Sequence, residues 1–350
     1  MKHTKSPLFL GVSLLASIVF TYFYFLYTHE YPPGSYEKIA TYEAHKVFQT
    51  RILVTMTANT LEPTLPLLKA CFQWIVPYPI GYETLLQLLN SVFLMILLLC
   101  MPFLYEILDT RLSPWWAFVL FIPLGWNYIA INGFFDGAGL YYPYDIPSLT
   151  FFALGTLLFV HRRWKLFYLF FLVACLNRES ACFISLAGFL LTIRFSKSAH
   201  TFLQKNRTII LHISSQAALW FASRLTLSYL FRNNPGEFFE TPHSMIDFIW
   251  LIYTGEPHRW AMVNPRWFLT LFAGIWLIPF LTWKHLSVSS RRFFLQLGTC
   301  YIVALAFRSN MMESRVYNEL NVIVTACAVV GVHAWWRARQ KKTLKVGTYP

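Results

Sequence analysis

The chain has 350 residues, of which 56% are hydrophobic, 19% aromatic and only 13% charged, with a formal net charge of +13. The length would accommodate two soluble domains, but this composition argues against them and for an integral membrane protein. No basic run is interleaved with exposed aromatics, so the positive charge does not point to nucleic acid as a partner.

In chain order, the first apolar run covers residues 8–27 and follows Lys2 and Lys5. It is about a full span long and no small-residue cleavage site follows it, so it reads as a retained anchor. Residues 28–83 read as a first extracytoplasmic loop. Within it, 52–75 is interrupted by Thr55, Thr57, Asn59, Glu62, Pro63, Pro66 and Lys69 and reads as an interfacial or re-entrant helix. Further apolar runs follow at 84–105, 114–131, 146–160, 166–177, 180–193, 208–231, 267–283, 293–307 and 316–335. Residues 336–350 form a basic tail. The expected fold is all-α: one polytopic transmembrane helical bundle of about ten spans over 1–350, with re-entrant or interfacial helices in the outer loops.

Charge placement supports that count. With the N-terminus inside and 166–193 folded as a hairpin, the inner segments hold 18 of the 29 Lys and Arg residues and two acids, Glu106 and Asp109. Cytoplasmic loops carry such an excess, which places both termini in the cytoplasm. Cys100, Cys175, Cys182, Cys300 and Cys327 fall in apolar segments and Cys71 at a semi-polar one, so neither a disulfide framework nor a CxxC metal pair is present.

The stretch "ACLNRESACF" at 174–183 sets Asn177, Arg178, Glu179 and Ser180 between two apolar runs. A 12-residue helix from 166 climbs only about 18 Å, so these groups lie at membrane depth, where a charge needs a partner or a wet cavity. Four places supply polar groups for such a cavity: Glu37, Glu43, His45 and Arg51 in the first loop; Asp136 and Asp145 around "GFFDGAGLYYPYDIPS"; the hairpin itself; and Arg308, Glu313, Arg315, Tyr317 and Glu319 in "RSNMMESRVYNEL". A carboxylate to take a proton, guanidinium groups to hold a phosphate and aromatic surfaces for a sugar are all present. Each residue also has a structural reading. Arg178 and Glu179 are neighbours that do not face each other, so each needs another partner, with Glu313, Arg315 and Asp145 available. Asp136 lies in a turn signal, Asp145 at a helix start, and Glu37 and Glu43 in a solvated loop. Arg224 reads as snorkelling or bonded to a neighbour.

The segment from "YYPYDIPS" through "ACLNRESACF", followed late in the chain by "MMESRVYNEL", resembles a group of bacterial polytopic membrane proteins. That group is similar in layout to the GT-C superfamily of glycosyltransferases. The resemblance implies a polyprenyl-phosphate-linked sugar as donor, a glycan or lipid as acceptor, membrane lipid as surroundings and a bacterial inner-membrane location. It also implies a divalent cation as a candidate cofactor, although no ligand spacing marks a metal site. The acidic pair usual in the first outer loop of that superfamily is replaced here by the spaced Glu30, Glu37 and Glu43. This leaves the base open among those residues, Asp136 and Asp145.

The expected function is therefore a membrane glycosyltransferase of envelope polysaccharide or glycolipid assembly. Its catalytic candidates are Asp136, Asp145, Glu43 and Glu179. Its substrate-binding candidates are Arg51, Asn177, Arg178, Arg308, Glu313, Arg315 and Tyr317. Two alternatives stand beside it: a transporter or flippase of a lipid-linked or anionic substrate, and a non-catalytic membrane subunit.

Overall fold

Pro7 begins the first helix, α1 (Pro7–Leu26), where its fixed φ and missing N–H suit the opening turn. The computed structural model describes residues 6–74, 80–108, 111–131, 140–196, 198–236, 267–308 and 314–346. After α1 the chain forms β1 (His29–Glu30) and a run of short helices: α2 (Tyr36–Ala40), α3 (Lys46–Gln49), α4 (Leu53–Leu61) and α5 (Leu65–Phe72). Ser35 caps α2 by accepting from the Lys38 amide at 3.4 Å. Pro63 and Pro66 remove amide donors between α4 and α5, and the chain passes through a 3-10 turn there.

The long α6 (Tyr82–Ile107) packs along α1. The next apolar run is broken into a 3-10 segment (Pro114–Leu120), α7 (Phe121–Gly125) and a π turn (Trp126–Ala130). β2 (Leu140–Tyr141) then pairs in parallel with β1, His29 opposite Leu140. Three helices follow: α8 (Asp145–Val160), α9 (Trp164–Asn177) and α10 (Cys182–Thr192). Next comes α11 (Ala199–Leu230), with 32 residues. The last part holds α12 (Trp267–Thr270), α13 (Leu277–Leu281), α14 (Val288–Arg291), α15 (Gly298–Arg308) and α16 (Leu320–Val346).

α8 is the centre. It packs on α6, α9 and α10, and nearly all its side chains are buried. Small and large residues interlock across α8 and α10: Phe159 of α8 lies over Gly188 of α10, and Ile184 of α10 lies over Gly155 of α8. A Cβ at either glycine would overlap the opposing side chain, so the glycines set the helix spacing. One apolar cluster runs from α1 through α6, α8, α9 and α10 to α16.

Among the described residues the bundle is all-α apart from the two-residue strand pair, but the expected ten spans are corrected. Among the described residues, three helices are long and apolar enough to cross a membrane: Pro7–Leu26, Tyr82–Ile107 and Leu320–Lys341. Apart from the run at 208–231, which lies in α11, the other apolar runs became short helices or broken turns. Asp145–Val160 is apolar because protein encloses it, whereas Trp164–Asn177 buries one face and leaves Leu166, Leu169 and Leu172 exposed; at 16 and 14 residues the two rise about 24 and 21 Å. α11 is long enough but too polar to count, with Gln204, Lys205, Asn206, Arg207, Gln216 and Arg224 along it. The interior also holds Asn90, Asn127, Asp145, Arg178, Asn318, Glu319 and Asn321. The multi-pass inner-membrane placement, with its sorted loops and cytoplasmic termini, therefore does not stand, because it rested on the ten-span count. Of the interfacial segment, 52–74 is helical in two pieces, and 75 lies outside the described residues.

Candidate functional site

α9 ends at Asn177, and Arg178 takes an extended backbone (φ −159°, ψ 150°) before a 3-10 turn (Glu179–Ala181) leads into α10. The helical order of side chains is lost at this one residue, so Arg178 and Glu179 leave the chain in different directions. Arg178 turns inward, and its Nη1 donates to Asp145 Oδ1 at 2.9 Å, with both side chains buried. Glu179 meets Arg51, which precedes α4. The Nε of Arg51 donates to Glu179 Oε2 at 3.0 Å and its Nη2 donates to Oε1, a two-bond fork. The remaining Arg51 nitrogen, Nη1, donates to the Tyr144 hydroxyl at 2.8 Å, and the guanidinium lies 4.7 Å from the Tyr144 ring centroid.

The two pairs are tied to the neighbouring elements by neutral hydrogen bonds. Asn177 Nδ2 donates to the Tyr144 carbonyl at 3.0 Å. Asn318 Nδ2 donates to the Asp145 carbonyl at 2.6 Å and also to Ser148 Oγ. Glu319 accepts from Ser180 and from the Tyr301 hydroxyl. The chain of bonds continues outward: Asn321 donates to the Asn318 carbonyl at 2.8 Å, Asn127 to Asn321 at 3.0 Å, and Asn127 in turn accepts the Phe272 amide at 2.8 Å. Trp220 of α11 closes the outer side by donating to the Glu179 carbonyl at 2.8 Å.

The electrostatics follow from this packing. Burial pushes the Glu179 carboxyl up, but Arg51 and Arg178, with Arg224 further out, overcome it and hold the group down at about 2. Burial works against the charge on Arg178 as well, and Asp145 and Glu319 outweigh it, so the guanidinium keeps its proton more firmly than usual. A cavity of about 10 Å³ lies between Ser148, Asn177, Arg178, Ser180 and Glu319. That is room for about one water.

Of the residues expected from sequence, Asp145, Arg51, Asn177, Arg178 and Glu179 come together here, and Glu319 joins them. Tyr317 is buried at the end of the 3-10 turn (Ser314–Tyr317). Glu43 is exposed in the turn before α3. Asp136 and Glu313 lie outside the described residues, as do the side chains of Arg308 and Arg315. Sequence reasoning missed Tyr144, Ser148, Trp220, Tyr301 and Asn318. The Tyr-Asp and Tyr-Asn-Glu runs at 144–145 and 317–319 were the available signal, since a buried acid needs polar neighbours close at hand.

No protein-family model matches the chain, nor does any curated protein or solved structure. The resemblance to GT-C enzymes is thereby left without a matching relative, and the geometry is at odds with it. The cavity beside the charged residues takes about one water, not a sugar on a lipid carrier. Among the described residues no group of three His, Cys, Asp or Glu side chains is placed to hold a metal ion. The glycosyltransferase expectation is therefore corrected, and the transporter alternative falls with the ten-span topology it required.

Proposed function

We propose that the chain is a non-catalytic helical structural protein, and that the paired charges form a lock inside it. The lock fastens the first loop, 36–61, and the turn before α16 onto the α8–α9–α10 core. The observation that carries this reading is the opposed pairing at 178–179. Four residues that would otherwise bind a substrate, Arg51, Asp145, Arg178 and Glu179, are engaged by one another. A buried charge left alone costs far more than a pair returns, so such pairs fix one arrangement of the elements that carry them. Exposed apolar side chains along α1 and α11, among them Leu8, Leu15, Leu211 and Leu225, fit a protein that works through association with other surfaces.

Charge reversal tests the lock. Arg51→Glu and Glu179→Arg, each alone, are expected to expose 36–61 to limited proteolysis, and the two together to recover part of the protection. Wild-type protection in both single variants would rule the lock out.

A further inference from the structure

α11 carries His212, Gln216, Trp220 and Arg224 at intervals of four, so the four share one face. That face meets the α9–α10 hairpin. Two of the four are satisfied. His212 Nδ1 is 2.9 Å from the Tyr168 hydroxyl, and Trp220 Nε1 donates to the Glu179 carbonyl. The other two are not. Gln216 is fully buried and, among the described residues, neither its Oε1 nor its Nε2 has a partner, while Nε and Nη2 of Arg224 are enclosed and also lack one there. Buried donors without partners are costly and call for a water, an ion or a ligand group.

The identity of the two empty Arg224 nitrogens narrows the choice. Nε and Nη2 form the edge of a guanidinium that matches the two oxygens of a carboxylate or phosphate. Arg51 uses that same edge on Glu179. Among the described residues no carboxylate is seated on Arg224, and the nearby Glu179 is forked to Arg51. The groups that act on the Arg224 guanidinium include Glu179, Cys175 and Cys182 of the α9–α10 hairpin, so it faces that seam. On the outer side of the same turns, Phe221 and Leu225 are exposed.

We propose that Arg224 is an oxyanion-binding residue. It takes a carboxylate or phosphate group on its Nε–Nη2 edge, in the seam between α11 and the α9–α10 hairpin. The ligand is an acid whose head fits the Arg224 edge. It is either a free small oxyanion or the headgroup of an anionic lipid whose chains run over Phe221 and Leu225. The site borders the charge lock, since Arg224 feels the charges of Glu179 and Arg51, but it uses none of the lock's hydrogen bonds.

Thermal unfolding of the full chain tests this, with inorganic phosphate titrated at constant ionic strength and, in a parallel arm, vesicles containing phosphatidate. A saturable rise in Tm is expected for the wild type in at least one arm, and which arm responds identifies the source. Arg224→Gln is expected to weaken the apparent affinity about 10- to 100-fold, the loss of a charge-assisted fork. Arg224→Lys keeps the charge but lacks the planar edge, and it serves as the reading if Arg224→Gln does not fold; a severalfold weakening is expected. No saturable rise in either arm, or wild-type affinity in Arg224→Lys, would overturn the proposal.

Discussion

Arg178 and Glu179 are adjacent in the chain and bind in opposite directions, Arg178 inward to Asp145 and Glu179 outward to Arg51. The extended backbone at Arg178 makes this possible, because one non-helical residue between α9 and the following turn separates the two side chains. The same two residues thereby join three parts of the chain, at 51, 145 and 178–179.

The neutral bonds around this turn carry stability of their own. Asn318→Ala removes a donor to the Asp145 carbonyl, which keeps the Ser148 hydroxyl as a donor, and removes the donor to Ser148 Oγ. A loss of about 1–3 kcal/mol is expected in equilibrium unfolding, and Asn318→Asp is expected to do worse, since it sets a second carboxylate beside Asp145. An unfolding curve identical to wild type for Asn318→Ala would show these bonds to be dispensable.

Glu179 makes stability depend on acid. Its carboxyl lies at about 2 in the folded chain, below its ordinary 4.5, so the folded state binds fewer protons than the unfolded one between those values. The contribution is present above pH 4.5 and is lost as pH falls toward 2. Glu179→Gln is expected to lower stability at neutral pH and to flatten the acid limb; unfolding midpoints measured from pH 7 to pH 2 in both chains read this directly.

Glu30 acts with the opposite sign. Burial, together with Glu83 and Glu37, raises its carboxyl from 4.5 to about 7, although the Tyr36 amide at 3.2 Å pulls the other way. The folded state therefore binds more protons than the unfolded one between pH 4.5 and 7. Stability from this group is full below pH 4.5 and declines as pH rises through 7. In Glu30→Gln that decline is expected to vanish, and a decline that persisted unchanged would assign it to another group.

The α8–α10 contact depends on its glycines. Gly188→Ala places a methyl group within the ring of Phe159, and Gly155→Ala places one 2.5 Å from Ile184 Cγ2. Each is expected to cost about 1–3 kcal/mol by overpacking. Phe159→Ala removes the Cγ and Cδ1 atoms that the new methyl meets, so it is expected to relieve part of the cost of Gly188→Ala and to leave Gly155→Ala unrelieved, which a comparison of the double variants measures.

Much of the helix placement was legible. The runs at 8–27 and 84–105 became α1 and α6 within two residues at each end, and Pro63 and Pro66 marked the break between α4 and α5. Apolar runs do not tell a helix surrounded by protein from one surrounded by lipid, and the excess spans arose there. The run at 267–283 is broken where Phe272 and Ala273 take left-handed backbone (φ 59° and 53°) ahead of Gly274, a conformation that composition does not signal. At the site, Asp145 was among the partners open to Arg178 from sequence. Arg51 and Glu179 are 128 residues apart, and nothing local to either names the other.

The central claim is that these charges hold the fold together, and a double-mutant cycle on Asp145 and Arg178 tests it most directly. Asp145→Asn and Arg178→Gln are each expected to cost about 3–5 kcal/mol, because each leaves a buried charge alone, and the double variant is expected to cost clearly less than the two together. Additive losses, or single variants as stable as the wild type, would contradict the lock and return both residues to the set available for binding.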